Sequence, residues 1–424
     1  MSHVRASQLD RREFLGVAAA GLMIVKPEAV RGTTANSQLR LGILGCGGRG
    51  IAVGTGFVEN AGARVTAIAD LFRDQLEKGR QHFDALQQTK GYAPIEQLFH
   101  GPNAYQEIAQ AKEVDFILIA TPPYFHPEHL ERVVAAGKHV YCEKPVAIDV
   151  LGAHRVMRIG QQAQGKLSLD VGFQIRMAPP MVELTRRIQA GALGKVGCGL
   201  AFYYCRHLDR PEWPGASAEE QRLRNWVWDR RLSGDIIVEQ NIHVMDMCNW
   251  MLQGHPLKAE GLCARRVRTD SGDCKDDFNV LFTYPNDVRI SFGSCQFGDP
   301  AFDAGVQLYG AEGSSEAHYD NRVSIAGKNK WDAGLGAGAA GAVQFSAAGK
   351  FRGSLDQADA EKQKAFVESI TSGQFHNQAS QGAESALSAM LGRNAAYTGR
   401  PLTWERLQKS SEVYEPRIDL TRFG

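Results

Sequence analysis

Residues 39–50 read LRLGILGCGGRG, a short apolar run that ends in Gly45, Gly47 and Gly50. No other stretch limits the fold as tightly. At this spacing the first glycine lets the chain turn off a strand, and the second lets main-chain N–H groups come close to a pyrophosphate. The third lets the following helix pack tightly, its positive end facing the phosphates. Gly48 and Arg49 lie inside the same turn and join the set expected to touch the ligand. RVTAIA at 64–69 reads as a second buried parallel strand, closed by Asp70. An acid there accepts hydrogen bonds from the adenosine ribose hydroxyls. It favours NAD, because it would repel a 2′-phosphate, although Arg73 close by leaves NADP open.

With 424 residues, 43% of them hydrophobic, the chain can build two sizeable cores with a small-molecule cleft between them. A formal net charge of +1 and evenly scattered Lys, Arg, Asp and Glu leave no basic stripe for nucleic acid. The eight cysteines contain no CxxC pair and no zinc-type spacing, so they read as buried thiols, and no metal is expected.

The N-terminal stretch Asp10, Arg11, Arg12, Glu13, Phe14, Leu15, Gly16 precedes an apolar run ending at Val25. It resembles a twin-arginine export signal, with a weak small-x-small cleavage pattern at Thr33 and Ala35. The run is too short for a spanning helix, which needs about 20 residues, so no stable membrane anchor is expected. The resemblance implies a periplasmic or otherwise exported protein that engages the twin-arginine machinery. That route moves folded proteins, so a cofactor loaded beforehand would travel as a tightly held passenger.

DFILIA at 115–120 reads as a strand buried on both faces, stopped by Thr121 and Pro122. His126 then opens a helix that Gly137 ends. HVYCEKP at 139–145 finishes in Glu143, Lys144 and Pro145, and LSLDVGFQIR at 167–176 finishes in Gln174 and Arg176. In an open parallel sheet the carboxyl ends of strands line the ligand crevice, which directs Lys144 into it. From about residue 195 the pattern changes to strand-like runs separated by turn signals, which predict a largely antiparallel sheet. The segment 331–349, WDAGLGAGAAGAVQFSAAG, reads as a flexible insertion.

Segment 233–252, SGDIIVEQNIHVMDMCNWML, is apolar on nearly every side and predicts a buried helix. Asp235, Glu239, His243 and Asp246 fall on one face of it. A narrow ionisable stripe on a buried helix faces a cavity, because burying those groups unpaired costs several kcal/mol.

The glycine turn with Asp70, the Thr121–Pro122 stop and the Glu143–Lys144–Pro145 signature together resemble the Gfo/Idh/MocA family, which includes glucose-fructose oxidoreductase and inositol dehydrogenase. The resemblance runs from about residue 39 to the end. It implies an α/β chain: an N-terminal Rossmann dinucleotide-binding domain plus an α+β domain with a large, mostly antiparallel open sheet, which supports homo-oligomer contacts. Residues 1–35 would be the signal peptide, 38–178 the Rossmann domain, and 179–424 the substrate and oligomerisation domain, its C-terminal segment packing back on the first. The resemblance also implies that Lys144 sits beside the nicotinamide, with Pro145 in a cis peptide bond. Relatives carry an Asp where Glu239 stands, four residues before the equivalent of His243. The expected catalytic set is therefore Lys144, His243 and Glu239, with Glu239 a departure from the family pattern. The cofactor set is Gly45, Gly47, Gly48, Arg49, Gly50, Asp70, Arg73, Thr121, Pro122, His126, Glu143 and Lys144. Arg176, Tyr204, Trp228 and Asp246 are the candidate substrate contacts, since aromatic faces pack on sugar C–H groups and charged side chains bond vicinal hydroxyls.

Oxidising a secondary alcohol requires that its O–H proton leave while hydride moves from carbon to the nicotinamide, and a base within hydrogen-bond reach drives this. The expected function is hydride transfer between a tightly bound nicotinamide and a sugar, polyol or glycoside. Two alternatives are a glycosidase working by transient oxidation, elimination and re-reduction, and a sensor that binds a sugar or dinucleotide without turnover.

Overall fold

The apolar residues of 40–44 form β1 (Arg40–Leu44), with Leu41, Ile43 and Leu44 buried between layers. The computed structural model describes residues 38–270, 272–335 and 354–423. The twin-arginine segment, the cleavage pattern and residues 336–349 of the glycine-rich stretch lie outside them. After β1 come α1 (Gly48–Ala61), β2 (Arg64–Asp70), α2 (Arg73–Thr89), β3 (Gln97–His100), α3 (Ala104–Gln110), β4 (Phe116–Ile119), α4 (His126–Ala135), β5 (His139–Cys142), α5 (Val150–Ala163) and β6 (Leu169–Val171). The strands form one parallel sheet in the order β3-β2-β1-β4-β5-β6. β1 thus stands centrally between β2 and β4, where the chain reverses its direction of travel, and a ligand crevice opens at the carboxyl ends there.

The second half opens with α6 (Pro179–Gln189) and β7 (Val196–Cys205), then α7 (Ile242–Leu252) and β8 (Lys258–Ala264). It continues as β9 (Asp277–Thr283), β10 (Arg289–Gln296), β11 (Asp303–Gly310), β12 (Gly313–His318), β13 (Val323–Gly327) and β14 (Trp331–Asp332). Two long helices, α8 (Ser354–Thr371) and α9 (Ala379–Thr398), precede β15 (Leu402–Thr403). The nine strands lie in the order β14-β13-β12-β11-β7-β10-β9-β8-β15, antiparallel except for β7 beside β10. Trp331 and Asp332 were expected inside a flexible insertion. They instead pair with Ile325 and Ser324, and the Trp331 ring lies under the Arg187 guanidinium.

The late helix α8 packs back on the first half, and α9 ties the halves together. Phe366 of α8 closes an aromatic cluster with Phe57 of α1 and with Phe116 and Tyr141 of the parallel sheet. Helix α9 is buried nearly all round by virtue of its small residues: a methyl at Gly382 would meet Val171 at 2.9 Å, and one at Gly392 would meet Phe282 at 2.5 Å. It runs against α5 on one side and β8 on the other.

The expected single helix over 233–252 is broken. Gly234 and Asp235 take positive φ, a short turn covers Ile236–Glu239, and α7 starts only after Gln240 and Asn241. Asp235 leaves the stripe as a result. Its carboxylate accepts from the N–H groups of Ile236 and Lys275 and from the Tyr397 hydroxyl, which fixes the break.

Candidate active site

The glycine turn is built as its spacing predicts. Gly45 has φ +98°, and a Cβ there would lie 2.7 Å from the Ala120 carbonyl oxygen; a Cβ at Gly50 would lie 1.9 Å from the Gly45 oxygen. Gly47 is different, because nothing lies within 4 Å of where its Cβ would be. That open space sits at the mouth of α1, which has no side-chain cap and no acid in its first turn. No side chain occupies that helix end, which leaves room there for an anion. The Asp70 carboxylate accepts from the N–H groups of Cys46 and Phe72 at 2.7 and 2.8 Å, so it is clamped at the end of β2 facing the turn. Burial pushes its pKa up to about 6 against the pull of those two bonds. A carboxylate has about four acceptor sites, which leaves capacity for ribose hydroxyls. The residues present fit a dinucleotide.

Arg73 lies exposed at the first position of α2, beside that acid. Three other residues of the expected cofactor set have different roles. Arg49 and Glu143 meet each other, Nη2 to Oε1 at 2.9 Å, with Asp359 of α8 at 3.6 Å from the same nitrogen. Each charge is thus committed within the protein. His126 is almost fully buried and sets its two ring nitrogens 2.7 Å from the carbonyls of Pro145 and Thr121. It braces the loops after β4 and β5 instead of facing the crevice, and burial lowers its pKa in spite of those acceptors. Thr121 also bonds His129 through its hydroxyl, and Pro122 leads into the short turn Pro123–Phe125.

Lys144 stands at the end of β5, joined to Pro145 by a cis peptide bond. Its Nζ donates to the Glu239 main-chain oxygen at 2.6 Å and to Glu239 Oε1 at 3.0 Å. An ammonium has three N–H groups, and these bonds use two of them. His243, one turn further along, is buried between the rings of Phe173 and Tyr319. Burial first, then the charges of Lys144 and Arg49, hold its imidazole well below the ordinary histidine value. It is neutral at pH 7. The structure therefore brings Lys144, Glu239 and His243 together at the carboxyl edge of the parallel sheet, beside the glycine turn.

The expected substrate contacts divide. Arg176 and Asp246 meet as a bidentate pair at 2.8 and 3.0 Å, with Ser385 donating to the same carboxylate and Trp250 under the guanidinium. Asp246 is wholly buried there, so it builds the wall and is not presented to a ligand, while the Arg176 side chain it holds stays one-fifth exposed. Tyr204 is corrected outright, because alternation along β7 puts it on the outer face of the large sheet, stacked on Phe202. Its neighbour Tyr203 is the inward one, buried and within range of the Glu239 charge, a distinction the strand's period of two could have supplied. Trp228 is packed in the turn Trp226–Trp228, where a methyl at Gly272 would strike its carbonyl oxygen at 2.5 Å.

A glycine turn open at Gly47, an acid clamped at the end of β2 and a lysine, carboxylate and histidine at the neighbouring strand end fit a nicotinamide-dependent oxidoreductase. The family model described as "Oxidoreductase family, NAD-binding Rossmann fold" matches residues 39–171, and the "GFO/IDH/MocA C-terminal domain" matches residues 181–316. The chain belongs to the GFO/IDH/MocA family, and its cofactor is NAD. It is 25% identical over 300 residues to inositol 2-dehydrogenase of Ralstonia nicotianae, covering 68% of this chain and 76% of that one. Among solved structures, scyllo-inositol dehydrogenase from Lactobacillus casei with bound NAD(H) and scyllo-inositol superposes with a TM-score of 0.65 at 17% identity, over 87% of this chain and 99% of that one. A levoglucosan dehydrogenase complex with NADH and levoglucosan gives the same TM-score and identity, over 86% and 99%.

Proposed function

We propose that this protein oxidises a ring CH–OH group of an inositol-like polyol or a sugar, and that it holds its NAD through the reaction. The observation that carries this reading is the Lys144–Glu239 pair beside a neutral His243, at the strand end next to the cofactor turn. Bound NAD supplies the hydride acceptor. The protein supplies everything that handles the oxygen and its proton. The third N–H of Lys144 holds the substrate oxygen and favours its alkoxide, while Glu239 fixes the direction of the ammonium. The uncharged His243 imidazole accepts the hydroxyl proton; burial makes it a weak base, so the transfer depends on the Lys144 ammonium acidifying the hydroxyl. Glu239 reaches one methylene further than the family's Asp, which lets one residue offer Lys144 both a main-chain and a side-chain oxygen.

The relatives support a polyol or sugar. Relatives named for inositol and levoglucosan share the fold, and the buried rings of Phe173 and Tyr319 hold His243 in place at the site. The arginine pair at positions 11 and 12 supports export with the cofactor already in place.

The test is a panel of inositols, pyranoses, anhydrosugars and nitrophenyl glycosides given to purified protein, with and without added NAD. Reduced nicotinamide should form with a polyol or sugar, and Lys144→Ala and His243→Ala should each lower kcat by about 10²–10⁴-fold. Release of nitrophenol with no net reduction would replace this reading with a glycosidase, and bound NAD that stays oxidised across the panel would replace it with a sensor.

A further inference from the structure

The second half of the chain reaches back over the first at a place that the reaction does not explain. Arg224, at the end of the short helix Ala218–Arg224, has its Cζ 3.9 Å from the centre of the Phe72 ring and 4.6 Å from that of Trp213. Its guanidinium donates to both oxygens of Asp74 at 2.9 Å each and to Glu220 at 2.7 Å. Phe72 and Asp74 are the residues just past Asp70, and the Phe72 N–H is one of the two groups that clamp the Asp70 carboxylate. The C-terminal residues lie on the same spot: Phe423 packs its edge against Phe72 at 5.8 Å, and Arg422 pairs with Glu219.

Upstream of Phe423, the C-terminal segment is tied down at several points. Arg222 and Arg231 donate to the carbonyls of Pro416 and Glu415 at 2.9 Å, and the Tyr414 N–H donates to Asp149 in the loop after β5. Residues Arg230–Ser233 rest on Pro123–Phe125, the turn after β4. Residues 206–233 and 414–423 therefore touch the loops after β2, β4 and β5, and so bridge the two sides of the central glycine turn. In this sheet order the adenosine half of a dinucleotide lies at the end of β2.

We infer that these two segments form a strap, pinned by Arg224 between Phe72 and Trp213, that closes the adenosine side of the crevice and slows the release of NAD. The inference rests on residues 45–50 and 70 as the cofactor's seat and explains how the chain retains NAD during turnover. A guanidinium between two rings is desolvated on both faces, where each cation–π contact is strongest, and its charge is met by Asp74 and Glu220. The strap is thus held by several mutually supporting contacts at one residue.

The experiment uses the full chain loaded with NADH and chased with excess NAD, following the decay of nicotinamide fluorescence. Arg224→Ala should speed release by roughly tenfold or more, as should truncation after Glu412, and Arg224→Lys, which keeps charge but loses the planar stack, should fall between. Trp213→Ala serves should the truncated chain fail to fold. Release at the wild-type rate from Arg224→Ala and Trp213→Ala, both with wild-type circular dichroism, would overturn the strap, as would a wild-type chain that loses NADH within the mixing time. The readout needs no substrate. Slow exchange in a protein that oxidises nothing on the panel would sink the proposed reaction and leave the strap standing.

Discussion

Gly47 and Gly50 sit three residues apart, yet a methyl group at each meets opposite surroundings. Gly50→Ala drives Cβ into the Gly45 carbonyl and should unfold the turn, whereas Gly47→Ala enters open space with an ordinary extended φ of −71°. Gly47→Ala should therefore keep the thermal midpoint of the unliganded protein and weaken NAD binding by tenfold or more, measured by titration of nicotinamide fluorescence. A loss of fold in Gly47→Ala, or NAD affinity like that of wild type, would contradict the crevice. Asp70 makes a second prediction. Its raised pKa of about 6 means that the ionised form, the better acceptor for ribose hydroxyls, is lost as pH falls through 6, so NAD affinity should drop from pH 7 to pH 5. Asp70→Asn should flatten that dependence. The chemistry-bearing residues were legible because glycine spacing, a strand-end acid and the Glu-Lys-Pro signature each have a local cause. Arg49, Glu143 and His126 were legible as residues of the site region but not in their roles, which depend on partners tens to hundreds of residues away, such as Asp359.

At the scale of elements, the segment 233–252 shows where periodicity alone falls short. Its apolar content correctly predicted burial, but the break at 234–235 is fixed by Asp235, whose carboxylate is tied to Lys275 and Tyr397 from remote parts of the chain. The break changes which ionisable groups share a face: Glu239 turns to Lys144, and Asp246 turns to Arg176. Removing Asp246 leaves the Arg176 guanidinium unpaired in a site that is one-fifth exposed, and Ser385 without its acceptor. Asp246→Ala should cost about 3 kcal/mol, the lower end of the range for a broken buried pair, read from denaturant midpoints at constant m-value. A change below about 0.5 kcal/mol, typical of an exposed ion pair, would contradict the wall assignment. Arg393 of α9 acts between elements, donating to the carbonyls of Ile148 and Gly234, one beyond β5 and one at the head of the site segment. Buried Arg393 thus ties the loop after β5 to the head of the site segment.

For the whole molecule, the two sheets share one interior that α9 helps to fill, while Phe366 of α8 packs in a second core on the other face of the parallel sheet. The parallel sheet was legible from its continuous apolar strands, and β7 to β11 from alternation bounded by turn signals. The short strands β3, β13, β14 and β15 were not, since a two- to five-residue strand carries too little pattern to stand apart from a loop. The parallel pairing of β7 with β10 was also hidden, because period-two patterning says which face a residue takes and nothing about strand direction. What the assembled molecule adds is the juxtaposition of a dinucleotide turn with three polar side chains drawn from both halves, Lys144 from one and Glu239 with His243 from the other. The central claim is that hydride passes between a substrate CH–OH carbon and NAD seated on residues 45–50. The most direct measurement is a single turnover with a polyol or sugar deuterated at its ring carbinol carbons, followed by denaturation and mass spectrometry of the released nucleotide. Deuterium in the reduced nicotinamide of the wild type, absent in Lys144→Ala, is the predicted result; nucleotide that stays oxidised and unlabelled while substrate is consumed would contradict it.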